Sequence, residues 1–268
     1  VPPDLDRVER ACRVPQGRAF ELDRLDPRGR RAWDIGKDDA EKAGDELRDE
    51  LRRLQRMLYA GHRHKVLVVL QGMDTSGKDG TIQNVFRGVN PQGVEVVSFK
   101  APSAEELDHD YLWRAHRRTP ERGKIMIWNR SHYEDVLAVR VRKLVPPGTW
   151  KRRYRHIAEF ERMLADEGVT ILKFFLHISK AEQKTRLDAR REDPERYWKH
   201  NPNDLKESKR WDDYMKAYAE ALSRTGAPWA PWYAIPSDRK WYRNALVLAI
   251  LVGRLRGLKL RYPPRPRA

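Results

Sequence analysis

The sequence predicts an α/β fold: a parallel β-sheet with helices on both faces, an N-terminal helical extension and a helical lid. Three observations predict it. Short apolar runs rich in β-branched residues alternate with longer segments of helical spacing, the pattern of a buried parallel sheet. The first of these runs leads straight into the glycine-bearing stretch Gly72–Lys78 and then into a helical segment. At 268 residues the chain is long enough for one large domain with a full core.

Taken in order, residues 1–36 are polar with scattered proline and glycine, and read as an extended arm with little regular structure. From Asp38 the pattern changes: Ala40, Ala43, Leu47, Leu51, Leu54 and Leu58 recur at helical spacing, and Gly61 is expected to end that helix. The stretch holds too few heptads for a coiled coil, so it reads as a helix packed on the main domain. Residues 1–60 are therefore the arm and its helix, and 61–268 the main domain. Strands are expected at Val66–Leu70, Val94–Phe99, Ile125–Trp128, Ile171–His177 and Trp232–Ile235. Helices are expected between them at Gly77–Arg87, Ala104–Arg117, Ser131–Arg140, Trp150–Asp166, Lys180–Arg190 and Arg239–Arg256. Residues 186–226 break the alternation. Asp193-Pro194 opens one helix, Asn201-Pro202-Asn203-Asp204 interrupts, and a charged helix follows to Leu222. A helical insertion beside such a sheet is where closing lids sit.

Lys and Arg exceed Asp and Glu by 55 − 39 = 16, with a pI near 10.0. That balance calls for a polyanionic partner: nucleic acid, an anionic membrane, or phosphate-rich small molecules. Cys12 is the only cysteine, which excludes an internal disulfide and a cysteine metal site and fits a reducing cytoplasm. The eight histidines show no metal-ligand spacing. The longest apolar run, Ala245–Val252, is too short to span a bilayer, and the N-terminus lacks a signal-peptide pattern. The expectation is a cytoplasmic protein without a membrane partner.

Gly72 to Lys78 fits G-x-x-x-x-G-K between a strand and a helix. The glycines let backbone N–H groups turn around a phosphate, the helix N-terminus adds its dipole, and Lys78 reaches the group being transferred. The residue after the lysine is commonly Ser or Thr and binds magnesium; here it is Asp79. Asp74, inside the loop, is the expected substitute, because a carboxylate beside phosphate needs a Mg2+ ion to bridge them. The third strand ends in Asn129, a poor magnesium ligand, where an acid is common. Glu134 and Asp135 follow one turn later, and the residues alone leave open which of them turns into the site. Arg130 is placed to grip phosphate bidentately. From the lid come Arg186, Arg190 and Arg191, then Trp198-Lys199-His200; Arg186 and Arg190 share a helix face. Arg239 and Lys240 follow the last strand on the edge where ligands bind. The phosphate- and nucleotide-binding set is thus Gly72, Thr75, Ser76, Gly77, Lys78, Asp79, Asn129, Arg130, Lys199, Arg239 and Lys240.

The segments GMDTSGKDG (72–80), NPQGV (90–94), WNRSHYEDV (128–136), LHIS (176–179), WKHNPNDL (198–205) and APWYAIPSDRKWYRN (230–244) together resemble the polyphosphate kinase 2 family. The similarity runs from about residue 35 to near the end of the chain. The NRSHYED form is similar to the class III branch; other branches tend to carry Asp at the position of Asn129. The resemblance implies a thymidylate-kinase-like P-loop kinase fold with a helical lid. It implies inorganic polyphosphate as phosphate donor, AMP and ADP as acceptors, a reversible reaction yielding ATP, and dimers or tetramers. It further implies catalytic roles for Asp74, Lys78, Arg130, Asp135 and either Arg186 or Arg190, with magnesium held by Asp74 and Asp135. Composition and spacing do not themselves identify polyphosphate. An ATP-dependent nucleoside or nucleotide kinase is a second reading. A non-catalytic binder of nucleic acid or another polyanion is a third, favoured by the charge and the nine tryptophans. That third reading leaves Lys78 and Asp74 in a strand–loop–helix unexplained.

Overall fold

The computed structural model describes residues 3–194 and 207–265. Helix α1 (Leu5–Cys12) and the long α2 (Lys37–Gly61) precede β1 (Lys65–Gln71) and α3 (Lys78–Val85). β2 (Val94–Ser98), two short helices α4 (Ala104–Asp108) and α5 (Trp113–His116), and β3 (Ile125–Asn129) come next. α6 (Ala138–Val141) and α7 (Pro147–Asp166) lead to β4 (Val169–His177) and α8 (Lys180–Glu192). The chain closes with α9 (Trp211–Thr225), β5 (Trp232–Pro236) and α10 (Lys240–Gly257).

All strand pairs are parallel, in the order β2-β3-β1-β4-β5. Successive side chains on a strand face opposite ways, and here both directions are apolar. Val66, Val68 and Leu70 of β1 join Leu172 and Phe174 of β4 in a core with α1, α2 and α10. Leu67 and Val69 face the other layer, with Trp128, Phe160 and Leu164. Farther along that layer Phe175 and Trp232 pack on α7 and α9 through Tyr154, Ile157, Tyr218 and Leu222. From β1 the chain moves one way to β3 and β2 and the other way to β4 and β5. That reversal opens a crevice beyond the carboxyl end of β1, where ligands bind in such sheets.

The five strands fall where the sequence puts them, within two residues at each end. Other expectations change. Residues 5–12 of the supposed extended arm form a helix, capped by Asp4, whose Oδ1 accepts from the Arg7 N–H at 3.0 Å. Its Leu5, Val8 and Cys12 are buried against α10. Beyond it the arm still docks on the sheet: Val14 N–H donates to the Trp232 carbonyl at 2.9 Å, and Arg13 bridges Tyr233. Helix α2 ends at Gly61 as expected, and the left-handed cap residue after it is His62 (φ +47°). The expected helices 104–117 and 131–140 are each broken. The first is interrupted by extended His109, and the second opens as a 3-10 turn, His132–Asp135. The described part of the segment expected as a lid packs on the core. α9 buries Trp211, Tyr214, Ala217, Tyr218, Ala221 and Leu222 along one face, and Gln183 and Leu187 of α8 are buried too. Residues 195–206, with Lys199, lie outside the described residues.

Candidate active site

β1 ends at buried Gln71 and the chain turns through Gly72 (φ +149°), Thr75 (φ +64°) and Gly77 (φ +101°) before α3 begins. A Cβ on Gly72 would lie 2.7 Å from the Leu176 carbonyl oxygen, and one on Gly77 only 1.8 Å from Arg243 Nη1. Both positions therefore need glycine for space as well as for φ. Ser76 N–H donates to the Met73 carbonyl at 3.0 Å and closes the turn. Lys78 Nζ donates back to the carbonyls of Gly72 at 2.8 Å and Met73 at 3.1 Å, which sets the ammonium inside the curve of the loop. Burial, reinforced by the Arg130 charge, pushes its pKa down to about 8 against the pull of Asp74, Glu134 and Asp79.

Two arginines hold the loop from outside. Arg186 makes five hydrogen bonds, the full complement of a guanidinium. They run to Glu182 Oε1 (2.7 Å) and to the carbonyls of Thr75 (3.0 Å), Ser76 (3.3 Å), Ser237 (2.7 Å) and Asp238 (2.9 Å). Arg243 of α10 donates to the Ser76 carbonyl at 3.2 Å. Asp238 receives the Ser179 N–H and Oγ–H, both at 2.8 Å, and so joins the loops that follow β4 and β5.

Arg130, directly after β3, has φ +61° and donates its backbone N–H to the Leu70 carbonyl at 3.0 Å. Its guanidinium pairs with Asp74 and stands 3.7 Å from Glu134 Oε2. Burial opposes the charge on Asp74, but Arg130, Lys78, Arg190 and Arg142 outweigh it and hold the carboxyl below its usual range. With its amide turned so that both ends find partners, Gln71 donates to Glu134 Oε1 at 3.2 Å and accepts from Ser131 at 3.1 Å. Asp135 faces elsewhere. Its Oδ1 accepts from Arg153 at 3.0 Å and its Oδ2 lies 3.9 Å from Arg114. Burial still lifts its pKa to about 6 against those two arginines, with Glu134 adding to the rise.

A buried polar group fixes this turn from beneath. Tyr133 OH donates to Glu161 Oε1 (2.9 Å), and Lys173 Nζ bonds Glu161 Oε2 (2.5 Å), Tyr133 OH (2.9 Å) and the Thr225 carbonyl (2.8 Å). Trp232 Nε1–H donates to Thr225 Oγ1 at 2.9 Å, and His132 lies 3.5 Å from Glu161.

Of the residues singled out in the sequence, the fold brings Gly72, Asp74, Thr75, Ser76, Gly77, Lys78 and Arg130 into one loop cluster. Asn129 and Asp79 bond each other, Nδ2 to Oδ1 at 2.7 Å, and tie the end of β3 to the start of α3. Arg190 is near enough to Asp74 to stabilise its charge. Arg186 directs its five donors to Glu182 and four carbonyl oxygens and has none left for a moving phosphate. Arg239 donates to the Arg28 carbonyl at 2.7 Å, so it serves the arm, and Lys240 is the exposed first residue of α10. Glu134, and not Asp135, stands beside the Arg130–Asp74 pair, because a 3-10 turn, not an α-helical one, sets which side chain points inward. Arg243 was not anticipated; it lies inside the 230–244 segment, but nothing in the sequence marks it as buried. Among the described residues no three His, Cys, Asp or Glu gather as a metal site. Asp74 and Glu134 fit magnesium, which takes one or two carboxylates and completes its shell with water and phosphate oxygens. No helix among the described residues is long and apolar enough to cross a membrane.

The model of the polyphosphate kinase 2 family matches residues 34–262. The chain is 56% identical over 249 residues to the AMP/ADP-polyphosphate phosphotransferase of Meiothermus ruber, covering 93% of each chain. It is 47% identical over 227 residues to the ADP-polyphosphate phosphotransferase of Rhodopseudomonas palustris, covering 80% of this chain and 78% of that one. The crystal structure of polyphosphate kinase 2 from Arthrobacter aurescens TC1 superposes with a TM-score of 0.93 at 38% identity, over 97% of this chain and 93% of that chain. With a strand–loop–helix built for phosphate at its centre, the chain belongs to the polyphosphate kinase 2 family.

Proposed function

We propose that this enzyme transfers a phosphoryl group reversibly between inorganic polyphosphate and AMP or ADP. The observation that carries the reading is the convergence of Lys78, Asp74, Arg130 and Glu134 around one phosphate loop at the switch point of the sheet. The names of the Meiothermus and Rhodopseudomonas relatives supply the donor and the acceptors.

Phosphoryl transfer needs alignment and charge neutralisation more than covalent help. The loop N–H groups and the α3 N-terminus gather the donor phosphates, and Lys78, already inside the loop, neutralises charge on the group in transit. Arg130 stands between Asp74 and Glu134 and holds both carboxylates in place. Asp74 and Glu134 would hold magnesium, which would offset the repulsion between two polyanions. Arg186 fixes the loop, and Arg190 is the α8 arginine that acts toward the phosphates. Asp135 orients Arg153 and Arg114.

The test is an assay with polyphosphate as sole phosphate donor, no added ATP, and AMP, ADP, GMP and GDP as acceptors. ADP and ATP form from AMP. Product formation that requires ATP as donor would favour an ordinary nucleotide kinase and overturn the proposal.

A further inference from the structure

Among the described residues, Arg243 is a charge buried without an opposite charge beside it. It is 2% exposed, and its donors meet only neutral oxygens: the Ser76 carbonyl at 3.2 Å and Asn244 Oδ1 at 3.1 and 2.9 Å. None of the ion pairs among the described residues includes it, and the like charge of Arg186 acts on it. Burial, with Arg186 adding to it, pushes its pKa down to about 9. A lone buried guanidinium is strongly disfavoured, and an apolar side chain of similar volume would remove the penalty. Retaining a cation here therefore points to a balancing anion.

The position says where that anion sits. The guanidinium lies against the end of the phosphate loop: Nη1 is 1.8 Å from the place a Gly77 Cβ would occupy, and Nη2 is 3.6 Å from that of Gly80. It pulls the Ser76 carbonyl toward α10. In a trans peptide the N–H points opposite to the carbonyl, so the Gly77 N–H is turned away from Arg243 and toward the phosphate side of the loop. Arg186 holds the same carbonyl, and the Thr75 carbonyl, from a second direction.

We propose that Arg243 is a positioning residue for the bound phosphate chain: it fixes the Gly77 N–H inward, and the phosphate is the counter-ion that its buried charge lacks. The inference rests on the function proposed above. It makes two claims about one side chain, orientation of a peptide and balance of a charge, and two substitutions separate them. Arg243→Met keeps length and removes charge and donors. Arg243→Lys keeps the charge and loses the planar fork.

The experiment measures the rise in melting temperature on adding inorganic tripolyphosphate, together with KM and kcat for polyphosphate, in wild type and both variants. Arg243→Met is expected to lose most of the ligand-induced rise and to raise KM about tenfold or more, the loss typical of one charge-assisted contact, with a smaller fall in kcat. Arg243→Lys is expected to recover part of the rise and of the KM. A methionine variant with the wild-type ligand-induced rise and wild-type KM, whatever its own melting temperature, would show a purely structural role and overturn the inference. Should Arg243→Met fail to fold, the shorter neutral Arg243→Gln takes its place: a lost rise and a higher KM support the inference, and wild-type values of both overturn it. If wild type itself shows no rise with tripolyphosphate, the proposed function fails, and not only the role of Arg243.

Discussion

Arg130 holds a left-handed backbone conformation that a non-glycine residue adopts at a cost of about 1–3 kcal/mol. The strain puts its guanidinium between Asp74 and Glu134, and it directs the following 3-10 turn so that Glu134 faces the loop while Asp135 faces Arg153. The first prediction follows from that division. Glu134→Gln should cut turnover by roughly a hundredfold or more, as expected for losing one group that organises transition-state charge, and should raise the magnesium needed for half-maximal rate. Asp135→Asn should leave magnesium dependence near wild type and raise KM for the nucleotide. Rates measured across a magnesium titration for both variants check this, and the opposite assignment would show as the reverse pattern. A second prediction concerns pH. Lys78, at about 8, is charged below that pH and neutral above it, and phosphate favours the charged form. Polyphosphate KM should therefore rise as pH passes upward through about 8. Lys78→Arg stays charged and should show a flatter profile; equally flat profiles would remove Lys78 from phosphate binding.

At the scale of elements, the buried Glu161–Lys173 pair connects α7, β4, α9 and the catalytic turn. Lys173 and His132 keep the Glu161 carboxyl below its usual range despite burial. Removing one partner leaves a buried charge alone, so Glu161→Gln should lower stability by about 3–5 kcal/mol in urea denaturation, and Glu161→Leu with Lys173→Met by less. Equal losses in single and double variants would contradict the coupling. The strands were legible because both faces of a parallel sheet are covered, which leaves unbroken runs such as Val66–Leu70. Helix α1 was not, because Leu5, Val8 and Cys12 are set among Asp6, Arg7, Glu9 and Arg10 over only eight residues. α9 looked like a charged lid because Asp212, Asp213, Lys216 and Glu220 occupy its outer face; its aromatic stripe of Trp211, Tyr214 and Tyr218 covers Phe175. The phosphate loop was legible as a motif. The choice between Glu134 and Asp135 depends on the pitch of one turn, and the roles of Arg186 and Arg243 depend on burial, so spacing could show neither.

Over the whole molecule, the sheet order puts the phosphate loop at the reversal point, and the chain carries a net charge of +16. A long linear polyanion releases counterions when several Lys and Arg residues contact it, so polyphosphate affinity should fall steeply and log-linearly with potassium chloride. A flat response would mean that the basic surface is not its path. The central claim, that polyphosphate is consumed at the loop carrying Lys78, is tested most directly by Lys78→Ala assayed with polyphosphate as sole donor. The account predicts a folded variant whose turnover is lower by roughly a hundredfold or more. A folded Lys78→Ala enzyme that keeps more than about a tenth of wild-type turnover, well short of the loss expected for such a contact, would contradict it.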